Sequence, residues 1–174
     1  MGRFIVIGIL YKVRVNTRID DKIASSLKER FPEEMFDYNQ IKEKQMLSLR
    51  EEISPKSIAD LRTKVLSVCN LPQEKDEESL NERLRRASTI QELEDISKED
   101  GQYSFLHEER SWILTLNGED VKATYEYFIL YSSGSKFYSW EGYSFHEITQ
   151  KTRRLIHLAI HDPIVELIEV FIDG

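Results

Sequence analysis

Hydrophobic residues are most concentrated in two stretches, one near each end of the chain. Residues 4–15 begin as an unbroken apolar run and then alternate, with two valines on one side and Lys12 and Arg14 on the other. Such a run, rich in β-branched residues, indicates a strand that is buried on both faces at its start and half-exposed at its end. Only residues 164–172 match this pattern. We predict that these two segments pair at the middle of one sheet.

The first 70 residues predict the order β-α-β-β-α. Apolar residues recur at helical spacing after the first strand until Pro32 ends the helix. Residues 35–39 and 46–50 then predict a β-hairpin, and a helix over residues 40–53 is the alternative. A second helix begins at Ser54, because serine is a preferred N-cap and a proline follows at the first helical position. Together with the closing strand, this order resembles the ferredoxin-like arrangement.

Residues 71–142 are predicted to be an insertion into that arrangement. The insertion begins with two charged helices, and Thr89 and Glu92 form a capping box at the start of the second one. An antiparallel meander rich in aromatic residues follows, with Asn117-Gly118 as its first turn. The predicted elements of the insertion are helices over residues 76–87 and 89–98 and strands over residues 111–116, 121–132 and 136–140.

A closing helix precedes the last strand. Ser144 and Glu147 form a capping box at its start, and Asp162-Pro163 ends it. The fold prediction is therefore a single α+β domain over residues 1–174. Its mainly antiparallel sheet carries helices on one face, with a ferredoxin-like start, an inserted helical pair, an aromatic β-meander, a closing helix and a C-terminal strand.

Composition limits the classes of function. The formal net charge is −7, and a nucleic-acid binder needs a basic surface, so an electrostatic nucleic-acid protein is disfavoured. The acidity is concentrated between residues 71 and 101, which leaves room for a basic patch elsewhere. One cysteine excludes a disulfide framework and favours a reducing compartment. The N-terminal apolar run is too short to span a bilayer. We therefore expect a cytoplasmic protein with no membrane association and no cofactor.

The tyrosines of the meander are the first candidates for a binding surface. Strand alternation places Tyr125, Tyr127 and Tyr131 on one face and Phe128 on the other. If Phe128 points inward, the tyrosine face is exposed, with Trp140 nearby. Exposed tyrosine and tryptophan are typical of protein interfaces and can also stack on RNA bases. The alternative is that both faces of the strand are buried between layers.

The polar face of the closing helix is the second candidate, with Arg153 and His157 as potential binding residues. His157 and His161 are one helical turn apart and could share a metal ion, which would need a third ligand. Asp162 and His107 are the candidates for that ligand. The alternative is a solvated polar face that carries histidines without binding a metal.

Arg154 and His161 lie on the same helix with six residues between them. This spacing resembles the R-x₄₋₆-H active-site motif of the HEPN ribonuclease superfamily. The resemblance implies that Arg154 would stabilise the charge of a scissile phosphodiester and that His161 would transfer a proton, at a dimer interface.

The remaining sequence contains no phosphate-binding glycine loop and no nucleophile elbow. We therefore expect a non-enzymatic intracellular protein-interaction module of the inhibitor, immunity or accessory-subunit type. Its partner would be another protein, bound through the aromatic sheet face and the acidic helices. The alternative is a small RNA-binding or RNA-cleaving protein that uses the closing helix with Arg154 and His161.

Overall fold

The computed structural model describes most of the chain, namely residues 4–51, 55–71, 77–98, 107–132 and 168–173 and the single positions 147, 150, 151 and 154. Its helices are α1 (Asp21–Arg30), α2 (Ile41–Lys44), α3 (Pro55–Val68), α4 (Glu77–Arg86) and α5 (Ile90–Lys98). Its strands are β1 (Phe4–Val15), β2 (Phe36–Asp37), β3 (Met46–Leu49), β4 (His107–Leu116), β5 (Glu119–Ser132) and β6 (Ile168–Asp173). The six strands form one mainly antiparallel sheet, which confirms the α+β class.

Strand β1 is the centre of this sheet. One edge of β1 pairs with β5 from Val6 to Val15. The opposite edge is shared, because β6 pairs with the first half of β1 and β3 pairs with residues 12–14. The order β2-β3-β1-β5-β4 follows, with β6 beside the start of β1. The prediction that the first and last strands pair is confirmed for residues 168–173.

The hairpin predicted after the first helix is also confirmed. Strands β2 and β3 pair in antiparallel fashion, with the one-turn helix α2 between them. Gln45 ends α2 in the left-handed conformation (φ 51°) and turns the chain into β3. Leu47 and Leu49 of β3 are buried as expected. The alternative of one helix over residues 40–53 is wrong, because the chain reverses at Gln45.

Helices cover both faces of the sheet, so the prediction that they lie on one face is wrong. Phe31, which caps α1, packs edge-on against Tyr125 of β5 with ring centroids 6.2 Å apart. Glu94 of α5 contacts Lys12, and the register partner of Lys12 is Glu126. Neighbouring residues of a strand point to opposite faces, so Tyr125 and Glu126 face different helices.

A glycine allows close packing at the centre of the sheet. Gly8 of β1 has Ile129 of β5 on one side and Glu169 of β6 on the other. A Cβ atom at Gly8 would lie 3.1 Å from the Phe128 carbonyl oxygen and 3.2 Å from the Tyr127 Cβ atom. Any larger residue would push these strands apart.

Several predicted elements lie outside the described residues. They include the third strand of the meander, the capping box at Ser144, the Asp162-Pro163 stop and the first part of the closing strand. The single-domain organisation with an insertion over residues 71–142 stays a prediction. Within the described residues, no helix is both long enough and apolar enough to cross a membrane.

Candidate functional site

The tyrosine face of β5 is buried. Tyr127 has 0% exposed surface, Tyr125 and Tyr131 have 4% and 6%, and Phe128 on the other face is buried as well. Phe31 covers Tyr125, and Phe171 of β6 lies against Tyr127 with ring centroids 5.2 Å apart. The expectation of an exposed tyrosine surface is therefore wrong, and the alternative that both faces are buried describes this strand.

Tyr127 instead connects two strands that are not neighbours in the sheet. Its hydroxyl donates a 2.6 Å hydrogen bond to the Glu169 carboxylate of β6, on the far side of β1. Gly8 is the register partner of Glu169, and its missing side chain leaves space for the Tyr127 Cβ atom. Burial first, and then the bond to the Glu169 carboxylate, raises the pKa of Tyr127. The role of Tyr127 in this arrangement is structural.

The opposite face of the sheet holds a buried charged cluster. A β-bulge makes both Tyr11 and Lys12 face Glu126, which is 2% exposed. The Tyr11 hydroxyl donates to Glu126 over 3.0 Å, and Arg14 donates to the other carboxylate oxygen over 2.7 Å. The Lys12 ammonium lies 2.5 Å from Glu94 of α5. This cluster binds α5 to the sheet.

Burial and the neighbouring Glu126 carboxylate both raise the pKa of Tyr11, so the phenol stays protonated. The Tyr11 ring also stacks on Phe128, with centroids 3.8 Å apart. The sequence places Lys12 and Arg14 on the polar side of β1 but gives no sign that a carboxylate of α5 is buried against them. Lys12, Glu94 and Glu126 are largely buried and Arg14 is 48% exposed, and the four charges pair with one another, which is typical of a structural cluster.

Two acidic residues of the inserted helices make contacts within the fold. Glu92 accepts hydrogen bonds from the Thr89 backbone amide and from Ser88, and the Thr89 hydroxyl accepts from the Glu92 amide, so the predicted capping box is confirmed. Glu94 pairs with Lys12, and the ammonium group of Lys98 lies 3.5 Å from the Glu94 carboxylate. Glu82, Glu92 and Asp95 are exposed, so the acidic helices stay a predicted contact surface.

A cavity between these helices and β5 is small. It is lined by Ile58, Arg62, Leu93 and Phe128 among others, and it has a volume of about 10 Å³. A space of this size holds about one water molecule. This cavity is too small to receive a substrate.

Among the described side chains of the sheet, the large exposed apolar ones lie on β4. Trp112 is 42% exposed and Ile113 is 73% exposed. Within the part of the chain that the structure describes, β4 has a neighbour along one edge only, which is β5. The two strands pair without a register break over ten residue pairs, from His107 opposite Phe128 to Leu116 opposite Glu119. Strand β4 is thus a long, regular edge with an apolar centre.

The turn after β4 determines which backbone groups point outward. Asn117 and Gly118 have φ values of 51° and 80°, as a two-residue type I′ turn requires. In such a turn Leu116 and Glu119 form a hydrogen-bonded pair, and pairs further along alternate between bonded and non-bonded. The amides and carbonyls of the alternate residues therefore face the open edge. These residues are Glu109, Ser111, Ile113 and Thr115.

The sequence alone did not identify this edge, although the alternation within β4 contains one signal of an exposed contact residue. Residues of β4 alternate between two faces of the sheet. One face carries Ser111, Ile113 and Thr115, and the other carries Trp112, Leu114 and Leu116. Leu114 and Leu116 are buried. Ile113 is therefore an apolar residue on the solvent-facing side of its strand. An exposed contact residue is expected at such a position.

The candidate residues of the closing helix are only partly described. Arg154 is helical and exposed, as are Glu147, Gln150 and Lys151. Trp140, Arg153, His157 and His161 lie outside the described residues, so the proposed metal pair and the Arg154–His161 pair stay predictions. Among residues that the structure does describe, no group of three or more His, Cys, Asp or Glu side chains is placed to hold a metal ion.

Comparison with protein-family models, with curated proteins and with solved structures finds no match to this chain. The most distinctive feature of the described surface is the β4 edge.

Proposed function

We propose that this protein is a non-enzymatic protein-interaction module whose contact surface is the outer edge of β4. The observation that carries the proposal is the exposure of Trp112 and Ile113 at the centre of an edge strand. An edge strand offers a row of amides and carbonyls that another strand can pair with, and adjacent apolar side chains add affinity. Tryptophan in particular is enriched among residues that dominate binding energy.

The sheet behind β4 supports this role by holding the edge rigid. Its neighbour β5 is buried on both faces over residues 125–131 and is itself paired with β1 over residues 123–132. The ring of Trp112 lies 6.0 Å from that of Tyr125, which is buried, so the inner side of the Trp112 ring is anchored in the core. A rigid strand loses little conformational entropy on binding, which favours affinity.

The test compares two variants that add the same charge. Ile113→Lys places an ammonium group on the edge, where lysine blocks strand pairing. Ser25→Lys is the control, because Ser25 is exposed on α1, which covers the other face of the sheet from Ile113. Each protein is immobilised and incubated with extract of its source cells, and the captured proteins are quantified by mass spectrometry.

We expect a partner that wild type and Ser25→Lys capture equally and that Ile113→Lys captures at least tenfold less. Equal capture by all three proteins would contradict the proposal. So would a wild-type sample that recovers nothing above background. We also propose a cytoplasmic location, since a reducing compartment suits a chain whose single cysteine, Cys69, is buried.

A second candidate function is RNA binding or cleavage by the closing helix. The observation that favours it is the exposure of Lys151 and Arg154, which lie three residues apart on the described helical positions. Labelled single-stranded RNA at low salt tests binding, because phosphate contacts weaken steeply as salt increases. Loss of binding in Arg154→Ala would support the candidate, and cleavage that persists in His161→Ala would exclude His161 as the catalytic residue.

A further inference from the structure

Strand β4 lacks most of the devices that normally protect an edge from pairing. Natural edge strands are kept short, interrupted by bulges or proline, or marked with lysine. The other end of the described sheet follows this rule, because β2 has only two residues. Strand β4 has ten residues, contains neither proline nor lysine, and pairs with β5 without a bulge. Its charged residues, Glu108, Glu109 and Arg110, all precede the segment from Ser111 to Leu116. An edge of this kind is expected to be covered by another strand.

We propose that a second copy of this chain covers it, with the two β4 strands pairing in antiparallel fashion across a two-fold axis at Trp112. This inference rests on the proposed interaction role of the β4 edge and names the partner. A two-fold contact uses the same surface of both copies and closes after two subunits. The sheet then runs without interruption from one protomer into the other.

The chemistry of β4 favours this register over those centred on Arg110 or Ser111. Centring on Trp112 places Trp112 against its own copy, Ser111 against Ile113 and Glu109 against Thr115, so no like charges meet. Shifting the centre to Arg110 would set two guanidinium groups opposite each other, which is destabilising. Shifting it to Ser111 would set the Glu109 carboxylate opposite Ile113.

The outward backbone groups agree with this register. Two antiparallel edges bond where outward-facing residues oppose each other. Residues 109, 111, 113 and 115 face outward, and the axis at Trp112 pairs 111 with 113 and 109 with 115. In this arrangement, the tryptophans form a non-hydrogen-bonded pair, where side chains approach most closely.

The aromatic rings of the sheet extend toward the axis. The ring of Tyr125 lies 6.3 Å from that of Tyr127 and 6.0 Å from that of Trp112. The partner's Trp112 would continue this row of rings across the two-fold. Offset aromatic pairs at such spacings are favourable beyond the area they bury.

The first experiment measures mass in solution by light scattering over a range of protein concentrations. Wild type is expected at about twice the chain mass of 20.5 kDa, dissociating only on dilution. Ser111→Pro is the informative variant, since its amide faces the open edge and proline there removes no bond to β5. Ser111→Pro is expected to be monomeric with a melting temperature close to that of dilute, dissociated wild type, and Ser111→Thr is expected to stay dimeric.

The second experiment tests the register by disulfide formation in a Cys69→Ala background. Trp112→Cys places two thiols opposite each other across the axis, within the separation that a disulfide requires. Ile113→Cys places its thiol opposite Ser111, so its own copy is out of reach. Rapid cross-linking of the first variant and at least tenfold slower cross-linking of the second would support the register. Equal rates would overturn it.

The results separate this inference from the proposed function. A wild-type monomer at every concentration that still captures a different protein through Ile113 would overturn the second-copy inference and leave the interaction role standing. A monomer that captures nothing would overturn both. A dimer that persists in Ser111→Pro and in Ile113→Lys would also overturn the inference, because the contact would then lie elsewhere.

Discussion

The ammonium group of Lys12 and the carboxylate of Glu94 lie 2.5 Å apart, and both side chains are largely buried. This pair joins the central strand of the sheet to α5, across 82 positions of sequence. Removing one partner leaves the other charge buried without its main counter-ion. We expect Lys12→Met to lower the free energy of unfolding by about 2–3 kcal/mol. That is less than the roughly 3–5 kcal/mol typical of a broken buried pair, since Lys98 remains near Glu94.

The control for this prediction is a double-mutant cycle monitored by chemical denaturation. Replacing both partners, as in Lys12→Met with Glu94→Met, removes the buried charge and is expected to restore part of the lost stability. Lys98→Met is a second control, because that ammonium group is half-exposed and its loss should cost less than about 0.5 kcal/mol. Strictly additive effects of the two main substitutions would show that the pair does not hold α5 in place.

Gly8→Ala is expected to destabilise the centre of the sheet. The added methyl group would lie 3.1 Å from a carbonyl oxygen of β5 and 3.2 Å from the Tyr127 Cβ atom, and neither can move without shifting the strand. Overpacking of this kind costs about 1–3 kcal/mol. Thermal and urea unfolding of the variant give the measurement. A variant as stable as wild type would contradict the tight approach of β1 and β5 at this position.

Tyr127→Phe tests whether the tyrosine ties β5 to β6. The substitution keeps the buried ring and deletes the hydroxyl that donates to Glu169. Since the acceptor is a carboxylate, we expect the free energy of unfolding to fall by about 1.5–3 kcal/mol. Hydrogen exchange should become faster at the amides of β6 and change little in α4. Unchanged exchange in β6 would mean that its attachment depends on β1 alone.

Alkaline pH is expected to unfold the protein. The pKa values of Tyr11 and Tyr127 are raised by burial and by Glu126 and Glu169 respectively, and burial raises the pKa of Tyr38 to about 12. A group whose pKa is higher in the folded state contributes stability that is complete below its unfolded pKa of about 10 and is lost as pH rises above it. Each fully buried phenol then lowers the free energy of unfolding by up to about 1.4 kcal/mol for each further pH unit.

Tyrosinate absorbance and circular dichroism, recorded together from pH 9 to 13, check this prediction. The buried tyrosines should ionise only together with the loss of native ellipticity, and Tyr127→Phe should change the midpoint pH of unfolding. Ionisation of all eight tyrosines near pH 10 in a protein that keeps its native ellipticity would contradict it.

Strands, turns and helix starts could be predicted from the sequence where a single pattern of residues determined them. The apolar run of β1 has one match in the chain, so the pairing of β1 with the last strand could be predicted from the hydrophobic pattern alone. The Asn117-Gly118 turn and the Thr89–Glu92 capping box were predictable because each depends on a few neighbouring residues.

The candidate site was harder to predict, because burial depends on which layers cover a strand. Alternation correctly separated Tyr127 from Phe128 but could not show that α1 and Phe171 cover the tyrosine side. Glu94 belongs to a helix with many charges, and nothing local distinguishes it from solvated neighbours. Ile113 carried a local signal, but it became meaningful only once β4 was known to be an edge strand.

The position of β1 has a consequence for synthesis of the chain on the ribosome. Its three partners come from residues 46–49, 119–132 and 168–173, so most of its contacts join segments that are far apart in sequence. Native topologies with such a high contact order fold slowly. Strand β1 is made before all three of its partners, so the nascent chain carries an unsatisfied hydrophobic segment until residues 168–173 are made. Such a segment is a natural target for chaperones until its final partner arrives.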